Sequence, residues 1–361
     1  MTLVEHLAQP DVSIETHIAA RAAALATSLA GKLPIYLDTR FWIVVREVGD
    51  GTSTRPDERE IVSLLERLVE RGVAFCPISE ATFSELMRQG REAQRAATAS
   101  AIEKLSCGVT IHPDPDRMVE EADRVVLGRL TTGKIPPLAP AWTSLAYVLG
   151  DMYPTATPLP AEQELAIQKA FYDRMWEEPL SSIALSMDSE SYTRDTELQE
   201  QARRLTQLNA EHRGSMTSFE SVLEQEFHGV ALTIAEASPS LRSALGPLGA
   251  RLKIDPLLLF TNAIREMLKD LDSARAMPTA HVHAVVHALF RWEYRDKPIT
   301  ANDLVDFRHA AAALSHCDLL LTEGGLRRTL CHRRMPLAEI HRTTVLSDRA
   351  GIVRHLRKLI A

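Results

Sequence analysis

The chain has 361 residues, a formal net charge of −7 at pH 7, 45% hydrophobic residues and 5% aromatic ones. Its length suits two domains or one domain with a large insertion, and its apolar fraction supports a real core. The negative balance excludes a surface that is basic all over and grips nucleic acid along its whole face. The few aromatics exclude extended base-stacking platforms, and both leave room for a local basic rim.

In chain order, residues 13–30 read as an amphipathic helix that stops at Gly31, before a strand over Leu33–Asp38. A short helix over Thr39–Val48, a GDGTSTRP turn and a helix ending at Gly72 follow, with apolar residues at helical spacing. Val73–Ile78 predicts a second strand, and Val109–His112 a third strand or edge segment. Between them Ser79 caps a long Ala-rich helix carrying Glu80 and Glu85; Glu80, in its first turn, is expected on a solvated face where it complements the helix dipole. From about Pro113 to Trp292 helical periodicity dominates, in roughly six to eight helices parted by Pro-rich joints at TTGKIPPLAPAW, MYPTATPLP and ASPSLRSALGPLG. No repeat period emerges there, so a helical solenoid is not expected. After Lys297-Pro298 the α/β pattern returns as helix 302–315, strand 318–322, helix 324–332, a strand near Thr343–Leu346 and a terminal helix DRAGIVRHLRKLI. The whole predicts the α/β class, with a central parallel sheet split by a mostly α-helical insertion.

Four acids stand at comparable places in this pattern. Asp38 ends the first strand, Glu85 lies about two turns into the helix after the second, and Asp306 and Glu323 come from the last α/β unit. Open α/β sheets bind ligands at the carboxyl ends of their strands. Clustered carboxylates repel one another and hold protons unless a divalent cation neutralises them, and oxygen-only donors suit Mg2+ or Mn2+. Two such ions can activate a water and stabilise the attacking and leaving oxygens of a phosphodiester displacement. Asp303 and Asp306, three apart, share a helix face, so Asp303 is either an auxiliary metal ligand or an acid of the first turn.

These residues resemble the PIN-domain nucleases. The resemblance rests on IYLDT (Ile35–Thr39), ISEATFSEL (Ile78–Leu86), LSCGVTIHPDPDRMVEEADRVV and DFRHAAAALSHCDLLLTEGGL (Asp306–Leu326). Asp38, Glu85 and Asp306 match the family's acid positions, His309, Ala311 and Ala313 its helix pattern, and Thr322 its strand-end Thr. The resemblance implies a three-layer PIN-like domain in two parts, 32–130 and 297–361, with an N-terminal helix in 1–31 and a helical insertion over 131–296. It also implies a Mg/Mn-dependent endoribonuclease, with DNA as the variant substrate and a catalytically degenerate PIN-fold scaffold as the alternative. The family's Thr-x-Asp is here Thr322-Glu323-Gly324, so the fourth acid is Glu323, displaced by one residue, or is missing. Asp318, at the start of the strand, ranks below it.

Substrate contact is expected from Thr39, Arg40, His309, Thr322, Arg327 and Arg328. Each has a plainer alternative: turn capping for the threonines, packing for His309, and solvated surface for the arginine run. His283 and His287 have the i, i+4 spacing of a helical metal pair but no HExxH acid, which favours a half-buried helix. Cys76, Cys107, Cys317 and Cys331 show no CxxC spacing and are expected as buried reduced thiols. With no membrane-spanning run and no signal-like start, the expectation is a cytoplasmic protein; a protein partner or second copy would dock through the helical region.

Overall fold

A computed structural model describes residues 2–187 and 194–360; residues 188–193, within the expected insertion, lie outside the described residues. The chain is 69% helical, with four strands in parallel pairing, and is loosely of the α/β class. The first third comprises α1 (Leu3–Leu7), α2 (Ile14–Leu29), β1 (Leu33–Leu37), α3 (Thr39–Gly49), α4 (Pro56–Glu70), β2 (Ala74–Phe75), α5 (Glu80–Met87), α6 (Glu92–Ser106) and β3 (Val109–Ile111). Next come α7 (Asp114–Thr132), β4 (Trp142–Ser144), α8 (Ala161–Trp176), α9 (Leu180–Ser186) and α10 (Arg194–Glu211). The helices α11 (Phe219–Ala237), α12 (Pro239–Leu252), α13 (Pro256–Lys269), α14 (Leu271–Ala276) and α15 (Pro278–Glu293) follow. The chain closes with α16 (Ala301–His316), β5 (Leu319–Leu321), α17 (Gly324–Leu330), α18 (Leu337–Ile340), β6 (Thr344–Leu346) and α19 (Arg349–Ile360).

The middle region therefore holds nine α-helices among the described residues, more than the six to eight expected. The reason lies in the prolines. Pro239, Pro256 and Pro278 sit in the first turn of α12, α13 and α15, where a missing N–H costs nothing, so a joint in the sequence is also a helix start. The joint around Trp142 instead forms β4, antiparallel to β3 with Val109 opposite Ser144 and Ile111 opposite Trp142. Three residues are too few to display alternation.

The chain divides into two compact units, the described residues of the first being 2–113, 140–187 and 349–360, those of the second 114–139 and 194–348. The expected insertion is thus shared out, α8 and α9 lying in the first unit and α10 to α15 in the second.

In the first unit β1 and β2 run parallel, Leu33 facing Ala74 and Pro34 facing Phe75. Beyond β2, Ile111 N donates to Ile78 O at 2.9 Å, so the stretch expected as one strand over Val73–Ile78 leans on β1 at its start and β3 at its end. Ile35, Tyr36, Leu37, Trp42, Phe75 and Phe83 form the heart of the core and are fully buried. The terminal helix α19 packs on α4 through Ile352 and Leu356, with Arg349 donating to Glu58 at 2.8 Å and Arg71 to Ile360 O at 3.0 Å.

In the second unit β5 and β6 run parallel from Leu319–Thr344 to Leu321–Leu346. Ala310, Ala311, Ala312 and Ala313 of α16 are all buried, and this small-residue stretch lets α16 lie close against α15. The cysteines depart from expectation: all four are free, but only Cys76 and Cys317 are buried. Cys107 is exposed because it ends α6 in the left-handed region, at φ 56°, where the chain turns outward.

Candidate functional site

The first unit carries Asp38, Thr39, Arg40 and Glu85. Asp38 follows β1 directly and caps α3, its buried carboxylate accepting weakly from Phe41 N at 3.4 Å. Thr39 opens α3, and its hydroxyl donates to the Glu85 carboxylate. That bond joins the end of β1 to α5, which is buried along almost its whole length. Glu80, Ala81, Thr82, Phe83, Ser84, Leu86 and Met87 are buried, and Glu85 is the one residue of α5 that is not. Glu80 is thus not on a solvated face: α5 is too short and too enclosed to have one. Ser79 stands at the cap of α5 but makes no capping bond, because its hydroxyl pairs with Tyr36 Oη at 2.6 Å. Arg40 is exposed.

The second unit carries Asp303, Asp306, His309, Thr322, Glu323, Arg327 and Arg328. Asp303 closes a capping box with Thr300: Thr300 N donates to its carboxylate at 2.8 Å and Thr300 Oγ1 accepts from Asp303 N at 3.2 Å. Lys297 stands 3.9 Å away, so the carboxylate is largely engaged in holding the helix start. Asp306 is exposed nearly one turn further on, and His309 is buried.

After β5, Thr322 is 1% exposed and its Oγ1 has no hydrogen-bond partner among the described residues. Glu323 takes the cap position of α17, exposed, with no side-chain capping bond. Arg327 Nε donates to Val345 O at 3.3 Å, and Arg327 and Arg328 are both exposed. Asp318 lies at the other end of β5, where its carbonyl accepts from Thr344 N at 2.8 Å.

Several polar groupings escaped the sequence reading. In the second unit buried Asp114 pairs with Arg117 and accepts from His283 Nε2 at 2.8 Å. Burial opposes its ionisation, but Arg117 and His283 outweigh that and hold the carboxyl well below the usual range. His283 is therefore committed to a carboxylate, while His287 packs its ring on Phe307 at 4.7 Å and burial lowers it to about 3. His281 Nδ1 meets His341 Nε2 at 3.0 Å, and burial lowers them to about 4 and about 3. In the first unit His6 and His17 both meet Asp173, one of them across 156 positions of sequence, a span no local pattern could have signalled.

No described helix is long and apolar enough to cross a membrane. Comparison with protein-family models, curated proteins and solved structures returns no match.

Proposed function

We propose that this chain is a PIN-type, Mg- or Mn-dependent endoribonuclease of the cytoplasm whose carboxylates are Asp38, Glu85, Asp306 and Glu323. The observation that carries the reading is α5: a buried helix offers a single accessible side chain, an acid, and that acid meets the hydroxyl next to the strand-terminal Asp38. An accessible carboxylate held by Thr39, the neighbour of buried Asp38, makes with it a pair of acids whose mutual repulsion a divalent cation offsets. The donor set fits such a cation, being all oxygen, and the unpartnered buried Thr322 Oγ1 beside Glu323 is a polar atom that an ordered water would satisfy. A bound Mg2+ or Mn2+ supplies neutralisation of phosphate charge and a water of lowered pKa. Of the chain's own groups, Thr39 orients Glu85, and Arg327 and Arg328 present planar donor forks suited to backbone phosphate.

The test is cleavage of RNA and single-stranded DNA in Mn2+ by the wild type and by Asp38→Asn, Glu85→Gln and Asp306→Asn, with circular dichroism to verify folding. Each variant should lose at least about 100-fold in rate. Variants that cut as well as wild type overturn the assignment. A folded wild type that neither cuts nor takes up Mn2+ overturns it in favour of a scaffold.

A further inference from the structure

We propose that His6, His17 and Asp173 form a binding site for one divalent transition-metal ion of the zinc class, separate from the carboxylates of the proposed nuclease. The three come from α1, α2 and α8 of the first unit and are 1%, 9% and 7% exposed. Asp173 presents one oxygen to each imidazole, His6 Nε2 at 3.1 Å and His17 Nε2 at 2.8 Å, and one ligand atom from each residue lies within 4.8 Å of the others. Ligand atoms about 2.0–2.2 Å from a shared ion stand roughly 2.8–3.6 Å apart, so the group needs little movement to enclose one.

The donor chemistry selects the ion. Two imidazole nitrogens with one carboxylate suit zinc and its first-row neighbours, whereas magnesium prefers oxygen. His6 Nδ1 is buried without a partner among the described residues, so Nε2, which faces Asp173, is the ring nitrogen the cluster engages. The buried rings of Tyr147 and Tyr172 border the cluster and limit water around it.

Among the described residues two cations oppose the ion. Arg21 Nε lies 3.6 Å from Asp173 Oδ1 with its guanidinium over Trp176 at 4.8 Å, and Lys169 Nζ is tied to Gln9 O at 2.8 Å and Val12 O at 3.1 Å. Arg21 competes directly for the carboxylate, so removing its charge should tighten binding.

The experiment strips the full chain with a chelator and titrates it with Co2+, reading the visible absorption of low-coordinate cobalt, then competes with Zn2+. The wild type should take up one equivalent, His17→Gln and Asp173→Asn should bind at least tenfold more weakly, and Arg21→Gln more tightly. Zn2+ should raise the melting temperature of the wild type but not of His17→Gln. A folded wild type without stoichiometric uptake, or an unchanged cobalt band in His17→Gln, overturns the proposal. Because Asp38, Glu85 and Asp306 are the same in the wild type and His17→Gln, the difference between the two reports the histidine site alone, whatever the carboxylates bind.

Discussion

At Glu121 burial and hydrogen bonding oppose each other. It is 3% exposed and accepts from Thr279 N at 3.0 Å and Thr279 Oγ1 at 2.7 Å, tying α7 to the first turn of α15. Burial still wins, pushing the carboxyl up from 4.5 to about 7. The folded state therefore binds a proton that the unfolded state has released between pH 4.5 and 7. The stability this group adds is complete below pH 4.5 and is lost as pH rises through about 7. The lowered histidines His281, His287 and His341 act with the opposite sign, since unfolding lets them charge below their ordinary 6.5. At pH 5 each costs about 2 kcal/mol, against about 3 kcal/mol gained at Glu121, so acidification should destabilise the protein overall. Urea denaturation at pH 5 and 7.5 checks this. Glu121→Gln, which mimics the protonated carboxyl, should match the wild type in stability at pH 5 and exceed it at pH 7.5, and an equal difference at both would refute the reading of Glu121.

At the scale of elements, α5 and α19 show two kinds of helix. The enclosure of α5 could not be foreseen: EATFSELM carries an acid in its first turn and reads as half-solvated, yet the core closes over seven of its eight residues. What was legible locally was the spacing that sets Glu85 on the helix after the second strand. The capping box of Thr300 and Asp303 was likewise readable, because a cap satisfies orphan N–H groups within one turn. The strong amphipathic pattern of α19 announced a helix but not the neighbour that buries Ile352 and Leu356. Since both are fully buried against the first unit, Leu356→Ala should cost about 2–5 kcal/mol in urea unfolding, chiefly by leaving a cavity. The exposed ion pair of Arg357 with Glu60 should contribute well under that, so Arg357→Ala is the matched control.

For the molecule as a whole, a net charge of −7 sets the terms on which the proposed ribonuclease would meet RNA. Few phosphates can be neutralised, so binding should be moderate and its salt dependence shallow. With non-cleaving Asp38→Asn, the log–log slope of affinity against salt for single-stranded RNA should fall by about 0.7 for each of Arg327→Ala and Arg328→Ala. Fluorescence anisotropy gives the slopes, and unchanged ones would remove these arginines from the substrate path.

By itself the sequence determined the alternation of strands and helices at both ends of the chain, the dominance of helix between them, and the placing of acids beside strand ends. Those properties are local, since periodicity, caps and prolines act within a turn or two. Only the tertiary structure decided that Glu80 is enclosed, that α19 returns to α4, and that His6 and His17 meet Asp173. The last two relations join residues more than a hundred positions apart, and all are set by which apolar faces pack together.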